Sequence, residues 1–266
     1  TEGYGMFHLV EYAFSGEFLD YIDINKIAST GHSMGGNAAI RGANYFGKQA
    51  IQNNEANKLH SVYVSGYVLT LLDEVLKDIQ SNVGVSYALY DEGAWQNKLG
   101  HGDMRFSPES LGLINHQIKN GTPLDSIEIG QYYGELSNRT LSIVHNEKVL
   151  HPFQPYSTKV LANQINFFLK TFNINDSISA KDQVWYWKEF MTLIAMICSF
   201  LLIIPIAKYL LSLPYFSILV NPIPNPIPKP KKIGKYIFWS TIVVSSIIAC
   251  FSFIPLSELS KIEENL

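Results

Sequence analysis

Residues 31–35 read Gly-His-Ser-Met-Gly, and the segments on either side give this pentapeptide its meaning. Residues 24–30 before it can form a short buried strand, and residues 37–43 after it begin a helix of small residues. Ser33 would then lie on the sharp turn between a strand and a helix, where a nucleophilic serine becomes exposed. Glycines at 31 and 35 would tolerate the strained backbone and let the strand and the helix approach closely. Ser33 is therefore the predicted nucleophile.

The pentapeptide and the glycine that follows it resemble the motif of the α/β-hydrolase superfamily, in particular of bacterial serine esterases and acyl-peptidase-like hydrolases. The resemblance covers roughly the first two thirds of the chain. It implies an α/β fold class, the carboxyl-terminal part of an α/β-hydrolase fold with a mostly parallel sheet and flanking helices. It also implies a catalytic triad of three residues at the ends of successive strands. Their order along the chain is Ser first, then Asp or Glu, then His. His32 is not the expected base, because neighbouring residues in a tight turn point in different directions.

The acid of the triad should follow the second strand after Ser33. Residues 60–68 and 83–90 have the composition of two strands, and the second one runs directly into Asp91. Asp91 is therefore the predicted acid, with Glu92 and Asp103 as alternatives. A different interpretation is that an Asp close to a glycine simply closes a turn.

The base should lie between the last strand and the last helix of the sheet domain. Residues 139–145 predict an edge strand, and residues 157–169 have apolar positions at helical spacing, with Ser157 or the next residue placed to cap the helix. His151 lies in the loop between them, from which an imidazole can turn toward Ser33. His145 falls within the strand or at its end. His151 is therefore the predicted base, and His145 is the alternative.

These residue types are needed together. A serine hydroxyl becomes a good nucleophile when a neutral imidazole takes its proton, and a carboxylate on the far ring nitrogen fixes the tautomer. The backbone N–H of Met34 is the predicted oxyanion donor. We predict no cofactor and no metal, because His101 and Asp103 share one loop and no second cluster has zinc-like spacing.

Residues 1–172 form the predicted hydrolase domain. A helix-like run at residues 4–18 is all that precedes the strand before Ser33, so we expect the early strands and the second oxyanion donor to be missing and this piece alone to be inactive. Residues 92–138 exceed the usual length of a connection. Their aromatic residues favour an ordered cap over the active site, the alternative being a disordered surface excursion.

The composition changes after this domain. Residues 173–189 are a predicted linker, and residues 190–256 contain two apolar runs, 190–213 and 236–256, that are each long enough to cross a bilayer as a helix. Neither run has a polar face, which a core helix of a soluble protein would keep. Aromatic residues suited to membrane interfaces stand at the ends of the runs: Trp185, Trp187, Tyr236 and Trp239.

The connection between the two runs, residues 214–235, is rich in proline and ends in a lysine cluster, and a polar tail follows at residues 257–266. Because positive charge favours the cytoplasmic side, the chain is predicted to be a multi-pass protein of the cell membrane with its hydrolase domain on the extracytoplasmic side. A proline-rich ligand for an SH3-type domain is a competing use of this connection.

The sequence therefore predicts a membrane-anchored serine hydrolase that cleaves ester or amide bonds through an acyl-enzyme intermediate. Its expected partners are a small-molecule or peptide acyl substrate and the lipid bilayer. A formal net charge of −3 argues against a nucleic-acid partner. Two alternatives remain open: an acyltransferase that uses the same triad, and an inactive hydrolase-fold binding module of the cell envelope.

Overall fold

A computed structural model describes residues 4–16, 21–68, 73–118, 122–175, 177–222, 225 and 231–263. The chain divides into two compact units, Thr1–Glu189 and Phe190–Leu266. The first unit contains a β-sheet and its helices, and the second contains apolar helix.

Nine α-helices occur in the described residues: α1 Tyr4–Ser15, α2 Met34–Asn53, α3 Asp73–Leu76, α4 Glu92–Trp95, α5 Pro108–Ile118, α6 Thr158–Thr171, α7 Trp185–Ser212, α8 Pro214–Ser217 and α9 Lys232–Glu263. Short 3₁₀ helices lie at Ile24–Lys26, Met104–Phe106 and His151–Tyr156. The strands are β1 Ala28–His32, β2 Ser61–Ser65, β3 Asn82–Ala88, β4 Tyr132–Tyr133 and β5 Ser142–Glu147.

The five strands form one sheet in the order β1-β2-β3-β5-β4. The first four of these are parallel, and β4 pairs with β5 in the antiparallel direction. Every residue of β2 and of β3 is buried, and valines recur along both, which is typical of parallel strands covered on both faces. The predicted α/β class with a mostly parallel sheet is confirmed.

Helices cover both faces of the sheet. On one face the valines of β2, β3 and β5 pack with Ile40 of α2 and Leu113 of α5. On the other face Phe167 of α6 packs against Tyr63 and Ile143. Parallel strands bring their carboxyl ends to one edge of the sheet, so residues that follow β1, β3 and β5 can meet there.

Some predicted boundaries are wrong. Residues 24–26 form a 3₁₀ turn rather than strand, because Asp23 caps that turn by accepting a hydrogen bond from the backbone N–H of Asn25. Helix α2 begins at Met34, directly after Ser33, rather than near residue 37. Helix α6 begins as predicted, with the hydroxyl of Ser157 accepting from the N–H of Val160.

The strand that contains His145 is not at the edge of the sheet. It begins at Ser142 and lies between β3 and β4, and the short strand β4 supplies the outer neighbour. Sequence spacing gave no sign of β4, because a two-residue strand has no periodicity to detect.

Residues 92–138 are ordered where the structure describes them. Helix α5 packs into the main core through Leu113 and Ile114, both fully buried. Parallel strands need a crossover between them, and α5 serves this purpose between β3 and β5. Helix α4 follows β3 at the carboxyl edge of the sheet, and a cap formed by residues 92–138 stays a prediction.

Helices α7 and α9 are long and apolar enough to cross a membrane, α7 over its 28 residues and α9 over Lys232–Phe253. No residue of the most apolar windows of these helices is buried. Much of the predicted proline-rich connection, at residues 223–224 and 226–230, lies outside the described residues. So does the end of the predicted polar tail, residues 264–266.

Candidate active site

Ser33 occupies the turn between β1 and α2, as the sequence predicts. Its φ is 58° and its ψ is −122°, a conformation that costs a residue with a side chain about 1–3 kcal/mol and that clusters at functional sites. The backbone N–H of Ser33 donates to the carbonyl of Ser65 over 2.8 Å, and its carbonyl accepts from the N–H of Asn37. These bonds hold the strained turn against the end of β2.

The glycines around Ser33 differ in their importance. A Cβ on Gly31 would lie 2.1 Å from the carbonyl oxygen of Gly35, so residue 31 must be glycine. The expectation for Gly35 is wrong, because a Cβ there would meet open space. The close approach of helix to sheet falls on Gly36, where a Cβ would lie 3.1 Å from Val64 and 3.2 Å from two backbone oxygens.

Asp91 and His151 form a hydrogen-bonded pair. Nδ1 of His151 lies 2.7 Å from Oδ2 of Asp91, although 60 residues separate them in the chain. The side chain of Asp91 is 6% exposed and that of His151 is 23% exposed. The second carboxylate oxygen of Asp91 accepts from the N–H of Gly93 and so caps α4, which fixes the carboxylate in place.

This pair sets the tautomer of His151. A carboxylate accepts hydrogen bonds and does not donate them, so Nδ1 of His151 carries the proton and Nε2 keeps a free lone pair. In the described residues, neither Nε2 of His151 nor Oγ of Ser33 has a hydrogen-bond partner. Hydrogen bonds between catalytic groups are often long in unliganded enzymes and tighten when substrate binds.

Ser33, Asp91 and His151 line one open cavity of about 190 Å³ at the carboxyl edge of the sheet. The remaining lining residues come from the segments after β2 and β3: Gly66, Tyr67, Val68, Glu92, Gly93 and Gln96. The three predicted triad residues are therefore brought to one place. Met34, the predicted oxyanion donor, is the first residue of α2, where backbone N–H groups have no partner within the helix.

The segment that carries His151, the predicted base, is a short 3₁₀ helix rather than a loop. His151–Tyr156 is a 3₁₀ helix with Pro152 near its start and Pro155 inside it, and each proline fixes its own φ. The backbone that carries His151 is therefore restrained.

His32 supports this turn. Its Nε2 lies 3.1 Å from the backbone oxygen of His151, and the two imidazole rings contact each other at a tilt, with 4.6 Å between their centroids. A carbonyl can only accept, so Nε2 of His32 is the donor. Burial, and then the neighbouring His151, lower the pKa of His32, which favours the neutral ring. Nε2 of His32 is thus engaged by the backbone of His151.

A buried polar network behind His151 was not predicted from the sequence. The amide of Gln154 donates to the hydroxyl of Ser86 over 3.1 Å and to its backbone oxygen over 3.3 Å. The Ser86 hydroxyl donates in turn to Glu147 over 2.8 Å, and Asn163 donates to the other carboxylate oxygen. Burial raises the pKa of Glu147. The network ties the turn that carries His151 to the two central strands of the sheet.

Gly66 was also missed. It has a φ of +61°, and a Cβ there would lie 2.5 Å from Oε1 of Gln154, 2.9 Å from Nε2 of His32 and 3.1 Å from Cε1 of His151. A glycine inside the predicted strand at residues 60–68 was the available signal. Its need arises from residues more than 80 positions later, which no local pattern reveals.

Comparison with protein-family models, with curated proteins and with solved structures gives no match to this chain. What the chain does must therefore be argued from its own geometry.

None of the alternative site residues takes the place of Asp91 or His151 in the hydrogen-bonded pair. His145 is aligned across the sheet with Ser86, Ser65 and His32, so three strand spacings, about 14 Å, separate it from the end of β1. Asp103 pairs with Arg105 and is not among the residues that line the cavity. Glu92 lines the cavity, but the carboxylate bonded to the imidazole is that of Asp91.

Proposed function

We propose that this protein is a membrane-anchored serine hydrolase of the α/β-hydrolase type. Ser33 is the nucleophile, His151 the general base and Asp91 the acid that orients it. The observation that carries the proposal is the 2.7 Å contact between Asp91 and His151 at a cavity that Ser33 also lines. A buried carboxylate on one imidazole nitrogen, with a serine on a strained turn that lines the same cavity, suits acyl transfer.

In the proposed reaction, Oγ of Ser33 attacks the substrate carbonyl while Nε2 of His151 takes the hydroxyl proton. The oxyanion of the tetrahedral intermediate accepts a hydrogen bond from the N–H of Met34. The intermediate collapses, the bond to the leaving group breaks, and His151 returns the proton to that group. Water, deprotonated by the same imidazole, then attacks the acyl-enzyme; the bond to Oγ of Ser33 breaks, His151 returns the proton to that oxygen, and the acid is released.

The arrangement of the apolar helices supports a membrane anchor. Helix α7 is about 42 Å long at 1.5 Å per residue, which exceeds the hydrocarbon thickness of a bilayer. Trp185 and Trp187 stand in its first turn, where aromatic side chains favour the membrane interface. The lysines of the connection between the spans favour a cytoplasmic position for that connection and an extracytoplasmic position for the hydrolase unit.

A fluorophosphonate probe tests the chemistry, because it reacts with serines that a neighbouring base activates. We expect the complete protein, in its membrane, to be labelled and Ser33→Ala to lose the labelling entirely. Ser137→Ala is the matched control, since Ser137 lines a cavity at the opposite edge of the sheet. Labelling that persists in Ser33→Ala, or that is absent from the unmutated protein, would contradict the proposal.

A further inference from the structure

The short helix that carries His151 presents an exposed apolar stripe. In a 3₁₀ helix residues three apart share a face. His151 and Gln154 form the inward stripe, the first at the cavity and the second fully buried. Leu150, Phe153 and Tyr156 follow the same spacing on another stripe, and they are 48%, 57% and 55% exposed. The short helix that carries His151 thus exposes three apolar side chains to solvent.

This stripe is joined to the start of the first apolar helix. The ring of Tyr156 lies 6.0 Å from that of Trp185, the first residue of α7. The indole N–H of Trp185 donates to Gln183, and the amide of Gln183 donates to the carbonyl of Thr158 at the start of α6. All of these residues belong to the first compact unit. The start of α7 is therefore held beside the turn that carries His151.

Charges near the stripe suit a lipid surface. Lys148 lies two residues before Leu150, and Lys159 lies three residues after Tyr156. Both lysines belong to the same compact unit as Lys188 of α7. Lys188 pairs with Glu189, and it is close enough to Tyr156 for that residue to influence its pKa. Lysines that flank exposed aromatic and aliphatic side chains favour an anionic headgroup layer.

We infer that Leu150, Phe153 and Tyr156 insert into the bilayer interface, and that the site takes its substrate from the membrane: an amphiphilic ester whose apolar part stays in the lipid. This inference rests on the proposed function for its chemistry. Tyr156 sits at the depth of the tryptophans that begin α7, because it contacts one of them, and His151 is on the same turn. The cavity of about 190 Å³ holds the reacting carbonyl and its near atoms, and the rest of the substrate remains in the lipid.

The first test does not depend on activity. The sequence has two cysteines, Cys198 and Cys250, which are replaced by serine; Phe153→Cys and Ile51→Cys then each receive one environment-sensitive fluorophore. Ile51 is 54% exposed and lies near the far end of α2, about 27 Å along the helix from Ser33. The full chain is placed in vesicles of phosphatidylcholine and phosphatidylglycerol with brominated acyl chains. We expect strong quenching at position 153 and little at position 51, and equal quenching would overturn the inference.

The second test concerns the substrate. We expect Phe153→Ser to lower kcat/KM about tenfold for a long-chain umbelliferyl ester dissolved in vesicles. Its rates with a water-soluble umbelliferyl acetate and with fluorophosphonate should stay within about twofold of the unmutated protein, because position 153 does not line the cavity. Ile51→Ser should leave all three rates unchanged. An equal loss for both esters, or no loss for either, would overturn the inference.

The two proposals fail in different ways. A protein that does not react with fluorophosphonate contradicts the serine hydrolase, and the quenching result still decides where the stripe lies. Reaction with fluorophosphonate without quenching at position 153 would support the serine hydrolase and contradict the inference of a substrate taken from the membrane.

Discussion

The two edges of the sheet both bring a histidine and a serine together, but in different surroundings. At the amino edge, Nδ1 of His60 lies 2.7 Å from the hydroxyl of Ser61. Ser61 is fully buried, and burial, followed by Arg139, lowers the pKa of His60. At the carboxyl edge, His151 is bonded to a carboxylate, and Ser33 lines an open cavity.

Cavity size alone would favour the amino edge over the edge where we propose the site. Cavities of about 390, 370 and 430 Å³ lie at the amino edge, and the first two are lined by Arg139. The cavity with Ser33 is about 190 Å³. A histidine beside a serine, or a large cavity, is therefore not enough for the proposed hydrolase chemistry. An accessible serine, an imidazole and a carboxylate are needed at the same edge.

The largest effect expected after the loss of Ser33 itself is that of Asp91→Asn. The amide removes the carboxylate that holds the proton on Nδ1 of His151, so turnover should fall by about 10⁴-fold. Asp103→Asn is the control, because Asp103 pairs with Arg105 outside the cavity. Rates of fluorophosphonate labelling measure both variants. If Asp103→Asn proves the slower one, the assignment of the acid is wrong.

His145, unlike His151, is expected to affect the stability of the fold and not the proposed chemistry. Burial, with a contribution from Lys159, lowers its pKa from 6.5 to about 4. Below pH 6.5 the unfolded chain takes up a proton at this residue, and the folded chain does so at about pH 4, so acid destabilises the fold across that window. The loss of unfolding free energy is at most about 3 kcal/mol.

We expect His145→Gln to remove this part of the pH dependence and to leave labelling of Ser33 intact. Denaturant unfolding of the full chain, followed by tryptophan fluorescence, measures the free energy of unfolding at pH 7 and pH 5. The same acid sensitivity in His145→Gln as in the unmutated protein would show that the stated cause is wrong.

Gln154→Leu tests the network that holds the base. Losing the bonds to Ser86 should let the His151 turn shift, and small displacements of catalytic groups cost up to about 10²-fold in rate. Gln117→Leu is the matched control, since Gln117 is also buried and donates to the carbonyl of Ser81 before β3. Both changes cost about 1–3 kcal/mol of stability.

We expect kcat to fall in Gln154→Leu with little change in KM, and to stay normal in Gln117→Leu. Labelling rates measured well below the unfolding temperature of each variant separate position from stability. Equal losses of kcat in the two variants would mean that Gln154 has a structural role alone.

Ser61→Ala has the smallest expected effect. It removes the hydroxyl that contacts His60 and Asn82 at the amino edge, which should lower the free energy of unfolding by about 1 kcal/mol. Labelling should be unchanged. A loss of labelling would mean that the two edges are not independent.

The sequence predicted those parts of the site that depend on local pattern. The turn at Ser33 has its own signature of glycines between a strand and a helix, and Asp91 directly follows a buried strand. The choice of His151 over His145 followed from placing one in a connection and the other in a strand. Helices α7 and α9 were also predicted, because an apolar run without a polar face is visible in composition.

The remaining features depend on contacts between distant segments. Gln154 and Gly66 acquire their roles from packing against His32 and Ser86, and no pattern near either residue reveals it. The expectation for Gly35 was wrong because the tight contact depends on which side of α2 faces β2, and that side carries Gly36. The position of β5 inside the sheet was missed because β4 has just two residues.

The most direct test of the central claim is to locate the covalent adduct. Trypsin cuts after Lys26 and Arg41, so Ser33 lies in the peptide Ile27–Arg41. Mass spectrometry of the complete protein after fluorophosphonate treatment should find the adduct on Ser33 within this peptide, and should find none after the same treatment of His151→Ala. An adduct on a different serine, or an adduct on Ser33 that forms equally fast without His151, would contradict the account.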